Sequence, residues 1–183
     1  MANELWTIGH STRTFPDFLE ILRSHDIRML VDVRRYPVSR RHPQFNADAL
    51  SRALTGSGIE YTALGDLGGR RKPQPNSINL GWRNDSFRGY ADYMQTGSFQ
   101  HALRALLSLA SRVRTAILCA EAVPWRCHRS LIADSAVHLD WRVHHILTRE
   151  KADAHTLCDF AQSDGDRLIY PPADASSKSL RLF

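Results

Sequence analysis

The stretch TAILCAEAVPWRCHRSLIADSAVHLDWRVHHIL, Thr115 to Leu147, decides the fold. Its opening, TAILCAE, is a short apolar run that ends in polar groups and reads as a buried strand. HRSLIADSAVHL then reads as a helix, and WRVHHIL as a second strand. A strand, a helix and a further strand make one βαβ unit, whose crossover forces parallel pairing.

Working outward, the same alternation recurs toward the N-terminus. ELWTIGHS is a strand running into a Gly-His-Ser loop, and Phe15, Phe18, Leu19 and Leu22 keep one helical face behind a Thr14 cap and Pro16. IRMLVDVR is a buried strand, and NADALSRALTGSG a short helix with Asn46 as cap and Gly56 and Gly58 as stops. IEYTALG is a strand, followed by the long loop DLGGRRKPQPNSINLGWRND, whose length in a compact domain marks function or mobility. FRGYADYMQTGSFQHALRALLSLASR is helical with a break near Gly97, and Leu103, Leu106, Leu107 and Ala110 share a face.

The expectation is a three-layer Rossmann-like α/β domain over residues 1–149, with a mainly parallel five-stranded sheet and helices on both faces. Residues 150–183 read as a C-terminal extension packed on it, with DRLIY as a candidate edge strand. With 183 residues, 43% hydrophobic and 23% charged, the chain has enough apolar material for one core without disulfide staples. No run approaches the roughly 20 apolar residues of a membrane span, so no membrane partner and a cytoplasmic location are expected. The odd cysteine count, Cys119, Cys127 and Cys158, argues for free thiols in a reducing compartment.

The net charge is +5, and of 24 basic residues only Lys72, Lys151 and Lys178 are lysine, leaving 21 arginines. Arginine's planar fork suits bidentate phosphate or carboxylate recognition, so an anionic partner is expected, a nucleic acid among the candidates. RRYPVSRRHPQF interleaves five bases with Tyr36 and Phe45, and GGRRKPQPNSINLGWR adds four bases and Trp82. Such mixtures neutralise phosphates and stack on bases, whereas a merely solvated loop would fold its aromatics onto the core.

Ligands of open α/β sheets bind beyond the carboxyl ends of the strands. Four loops bring reactive types to that rim: His10 and Ser11 after the first strand, Asp32, Arg34 and Arg35 after the second, Gly65, Gly68, Gly69 and Arg70 after the third, and Cys119 and Glu121 after the fourth. Arg126 and Arg129 follow Cys119 into the next helix, an environment that lowers a thiol pKa. Cys119 is therefore the candidate nucleophile, Glu121 with His10 or His128 the candidate proton carriers, and Ser11, Asp32, Arg34, Ser39, Arg40, Gly68, Gly69, Arg70, Arg126 and Arg129 the candidate anion or substrate contacts. Three rival readings stand beside it. Cys119 can be ordinary strand packing, Asp32 the ion-pair partner of Arg34, and Cys119, Cys127 and His128 metal ligands, although their spacing is not that of a paired structural zinc site.

The blocks TIGHS, LVDVRRYPVSR, LGDLGGRR, YADYM and LCAEAVPWRCHR, in this order between Thr7 and Ile146, resemble a prokaryotic family catalogued as domain of unknown function 488. The resemblance implies a site at Gly9, His10, Ser11, Asp32, Arg34, Pro37, Ser39, Arg40, Gly68, Gly69, Cys119, Glu121, Cys127, His128 and Arg129. It implies no reaction. The expected function is an enzyme, a cysteine-dependent hydrolase or transferase, on a phosphorylated or nucleic-acid substrate. The alternatives are a non-catalytic nucleic-acid or nucleotide binder and a metal protein. Cofactor and oligomeric state are left open.

Overall fold

The structure, a computed structural model, describes residues 3–172. Five strands, β1 (Glu4–Gly9), β2 (Met29–Asp32), β3 (Glu60–Ala63), β4 (Thr115–Cys119) and β5 (Arg142–Ile146), pair in parallel in the order β3-β2-β4-β1-β5. A sixth strand, β6 (Ala152–Ala154), extends the expected five and runs antiparallel to β5. Only three residues long, with Ala152 half-buried and the other two exposed, ADA is too short a stretch to announce itself.

The helices α1 (Phe15–Ser24) and α2 (Ala47–Thr55) cover one face of the sheet. There Phe18, Leu22, Leu50 and Leu54 pack on Ile8, Leu30 and Leu118. The helices α3 (Asp85–Met94), α4 (Gly97–Ala110) and α5 (Arg129–His138) cover the other, where Leu103, Leu106, Leu131 and Ile132 meet Leu5, Val31 and Ile117. Strand residues alternate between the two cores, as the period of two requires.

The caps follow the local chemistry. Thr14 Oγ1 accepts from Asp17 N at the start of α1, and Thr96 Oγ1 accepts from Phe99 N after the break before α4. Asn46 precedes α2 but spends its Oδ1 on Ser39 N at 2.6 Å, so it ties the β2–α2 loop to the helix start. His128 stands at the N-cap of α5 without a side-chain cap bond, because its ring is directed elsewhere.

The long loop after β3 is pinned rather than loose. Asp92 on α3 accepts from Gln74 N at 2.8 Å, Ser77 Oγ at 2.6 Å and Asn79 Nδ2 at 2.8 Å. Gly89 permits the approach, since a Cβ there would lie 2.3 Å from Arg71 O. Replacing Asp92 by Ala leaves these donors without their acceptor, and the expected loss is about 1–3 kcal/mol, with faster amide exchange at Gln74. Unchanged exchange at that amide would show that the loop is held by other means.

DRLIY does not join the main sheet. Its strand β8 (Arg167–Ile169) forms a hairpin with β7 (Gln162–Asp164) across Gly165, whose φ of 65° is the left-handed turn conformation that glycine favours. The hairpin still contributes to the core through Leu168 and fully buried Tyr170. Buried Asp134 of α5 accepts from His155 Nε2 at 2.8 Å, Cys158 N at 3.1 Å and Tyr170 Oη at 2.8 Å, which ties the chain after Arg149 to the α/β layers. The remainder of the expected extension, from Ala173, lies outside the described residues.

Candidate functional site

Neighbouring strands β2 and β4 feed α2 and α5 on opposite faces, so their loops diverge and open a crevice beyond the carboxyl ends. The register sets Gly9 beside Cys119 and Asp32 beside Leu118, which brings the ends of β1, β2 and β4 level. A cavity of about 810 Å3 occupies this position. Gly9 is indispensable to its floor, because a Cβ there would stand 1.8 Å from Glu121 O.

One wall is built on the α1/α2 side. Fully buried Asp32 takes Arg34 in a fork, with Nε to Oδ1 at 2.9 Å and Nη2 to Oδ2 at 2.5 Å, and accepts Tyr61 Oη at 2.8 Å. Arg34 Nη2 also donates to Phe45 O at 2.7 Å, and Nη1 reaches His10 Nε2 at 3.3 Å. His10 Nδ1 faces the Ser11 carbonyl at 2.9 Å, so the proton sits on Nδ1 and Nε2 accepts. Burial, and to a lesser degree the charge of Arg34, lower the His10 pKa to about 4. This histidine is a neutral, doubly bonded group at physiological pH.

The floor is built on the α5 side. Cys127 has extended backbone and therefore precedes the helix, so Cys127, His128 and Arg129 meet, although three adjacent helical residues would diverge. His128 Nδ1 lies 3.7 Å from Cys127 Sγ and 4.0 Å from Cys119 Sγ. Its Nε2 donates to Val33 O at 3.2 Å; a carbonyl only accepts, so Nδ1 presents its lone pair to both sulfurs. Arg129, 1% exposed, donates to Cys127 Sγ at 3.4 Å, to Glu121 O at 2.6 Å and to Thr7 Oγ1 at 3.3 Å. The hydrogen bond from Cys119, with the Arg129 guanidinium beside it, holds the Cys127 thiol well below its ordinary pKa, while sharing that proton and burial push Cys119 up. Among the described hydrogen bonds Arg129 donates to the Cys127 sulfur and not to that of Cys119, which favours a thiolate at Cys127.

Of the residues singled out from sequence, His10, Ser11, Arg34, Ser39, Gly69, Arg70, Cys119, Glu121, Arg126, Cys127 and His128 line the cavity. Asp32, Arg40, Gly68 and Arg129 do not: Asp32 and Arg129 lie behind the lining, Arg40 is exposed, and Gly68 packs on the Arg35 backbone. Glu121 lines the cavity as an exposed residue whose backbone carbonyl is taken by Arg129 and whose carboxylate has no hydrogen-bond or ion-pair partner among the described residues. Arg35 lines it as expected, and Tyr36, Val38 and Arg41, which the sequence reading does not single out as site residues, line it too. The signal was there in the basic run, but nothing local tells which of RRYPVSRR face inward. Ser11 and Arg70 have φ of 51° and 59°, so two of the four described non-glycine residues with left-handed backbone sit on this rim.

The mouth is cationic. Arg35, Arg41, Arg70 and Arg126 have no ion-pair partner among the described residues, and Arg35 and Arg70 flank the exposed ring of Tyr36 at 5.6 and 5.9 Å. Residues 14–136 match the family described as domain of unknown function DUF488. No curated protein and no solved structure matches the chain.

Proposed function

Because the chain belongs to the family described as domain of unknown function DUF488, which brings no reaction with it, we propose a function from the cavity: an enzyme acting on a phosphorylated or nucleic-acid substrate. The observation that carries this reading is the pairing of four unneutralised arginines at the mouth with two thiols and an imidazole on the floor. Arg35, Arg41, Arg70 and Arg126 hold the anion, Tyr36 offers a stacking face between two guanidinium groups, and the reaction takes place at Cys119, Cys127 and His128. Glu121, with an unengaged carboxylate on the same rim, moves protons.

A thiol floor under an arginine mouth distinguishes this reading from a plain binding module, which needs the mouth alone. Both share one test of the mouth. Binding of a labelled single-stranded DNA oligonucleotide should weaken steeply with salt, and Arg70→Ala and Arg126→Ala should each reduce the slope of log K against log salt by about 0.7. Binding that ignores salt, or slopes unchanged in both variants, removes the anion-binding reading. On any substrate found to turn over, Glu121→Gln and Cys119→Ser should abolish turnover while retaining oligonucleotide binding. Full activity in both would remove Glu121 and Cys119 from the reaction and overturn this mechanism.

A further inference from the structure

We propose that Cys119, Cys127 and His128 are the three protein ligands of a zinc ion whose fourth position opens into the cavity. The donor atoms Cys119 Sγ, Cys127 Sγ and His128 Nδ1 all lie within 4.8 Å of one another. In a tetrahedron with zinc–sulfur near 2.3 Å and zinc–nitrogen near 2.0 Å, a sulfur and a nitrogen stand about 3.6 Å apart. The 3.7 and 4.0 Å separations from His128 Nδ1 to the two sulfurs lie within a few tenths of an ångström of that.

The surroundings match a metal centre as well as the donors do. A ligating histidine ordinarily donates its other ring N–H to a carbonyl or carboxylate, which fixes the ring and its tautomer. His128 Nε2 does this with Val33 O at 3.2 Å, leaving the Nδ1 lone pair aimed at the sulfurs. Arg129 Nε donates to Cys127 Sγ, the kind of outer bond that stabilises a bound thiolate. Gly69 leaves the approach to Nδ1 clear, since a Cβ there would come within 2.9 Å of it.

Two thiolates and an imidazole are soft and borderline donors; they suit zinc and exclude calcium and magnesium, which take oxygen ligands. Both sulfurs coordinate as thiolates, and the protons they hold pass to solvent. Three protein ligands and one open position are the pattern of catalytic rather than structural zinc. All three residues line the cavity, so the open position gives onto the same space that the mouth arginines and Glu121 line. The proposal rests on the cavity being the working site, and it makes the sulfurs ligands, with the reacting oxygen in the fourth position.

The test uses the full chain purified under reducing conditions without a histidine tag. Elemental analysis should find stoichiometric zinc. Cobalt(II) in its place should show thiolate charge-transfer absorption and the intense visible bands of a tetrahedral site, and inorganic phosphate should shift those bands by entering the open position. Cys119→Ser and Cys127→Ser should lower zinc affinity by more than about tenfold, whereas Cys158→Ser, a thiol outside the cluster, should leave it unchanged. Substoichiometric zinc that the native protein does not take up from solution, a weak octahedral cobalt spectrum, or preferential copper loading would each overturn the proposal. If a cysteine variant fails to fold, the cobalt spectrum of the native chain decides. Metal-free protein that still shows Arg70-dependent oligonucleotide binding would sink the zinc site and spare the proposed function. Stoichiometric zinc with no anion affinity would do the reverse.

Discussion

Replacing Asp32 by alanine is expected to cost about 3–5 kcal/mol of stability, because it leaves the Arg34 guanidinium buried without its counter-charge. The carboxylate is fully buried and receives Arg34 N, Nε and Nη2 together with Tyr61 Oη. What remains for Arg34 is one carbonyl, Phe45 O, and the neutral His10 ring. Urea unfolding should show the loss, and Asp32→Ala combined with Arg34→Met should recover most of it, since an apolar pair leaves no buried charge. A single variant within about 1 kcal/mol of the native protein would show that water already reaches the guanidinium. His10 stacks on Phe45 at 4.4 Å and shares Arg34, so the same substitution should loosen the wall of the cavity.

The second large effect is a loss of stability in mild acid. His145 accepts from Thr7 Oγ1 at 2.7 Å through Nδ1 and donates through Nε2 to His155 Nδ1 at 2.9 Å. His155 in turn donates to Asp134, a direction of donation that needs both imidazoles neutral. Burial first, and after it the charge of Arg129, lower the His145 pKa to about 3. The unfolded chain keeps a value near 6.5, so between the two the unfolded state binds more protons. Stability is therefore complete above about pH 6.5 and falls as the pH drops toward 3, by a few kcal/mol in rough terms. His10, at about 4, adds to the same fall. The urea midpoint should decline steadily from pH 7 to pH 4.5, and His145→Asn should flatten that decline. A midpoint constant over this range would mean that the folded protein accepts these protons without cost.

The parallel sheet was legible because its central strands β2 and β4 are buried apolar runs set between helices, and the helices because Phe18, Leu22, Leu103 and Leu106 recur at helical spacing. The hairpin was not: QSD is fully exposed, and the turn rests on Gly165 alone. Residue types at strand ends located the cavity, since that rule depends only on strand order within a parallel sheet. Side-chain direction escaped it. Arg129 reads as an anion contact, yet points inward to Glu121 O, and Cys119 and Cys127 look too far apart along the chain to share a metal ion. A single turn of 3-10 helix, Pro124–Arg126, folds the intervening loop back and brings the sulfurs together. Spacing rules for metal sites assume short local loops, and this one closes through tertiary structure.

The two halves of the cavity are hung on different hydrophobic cores, the Asp32–Arg34–His10 wall on the α1/α2 side and the cysteine–histidine floor on the α5 side. On the proposed function, recognition by Arg35 and Arg41 belongs to the first half, and Arg126 is the recognition group that the second half carries in its own cysteine loop. Exchanging the Arg35–Arg41 loop for another of equal length would alter what is recognised and leave the reactive groups undisturbed. A single scaffold of this kind can diversify its substrates without reinventing its chemistry.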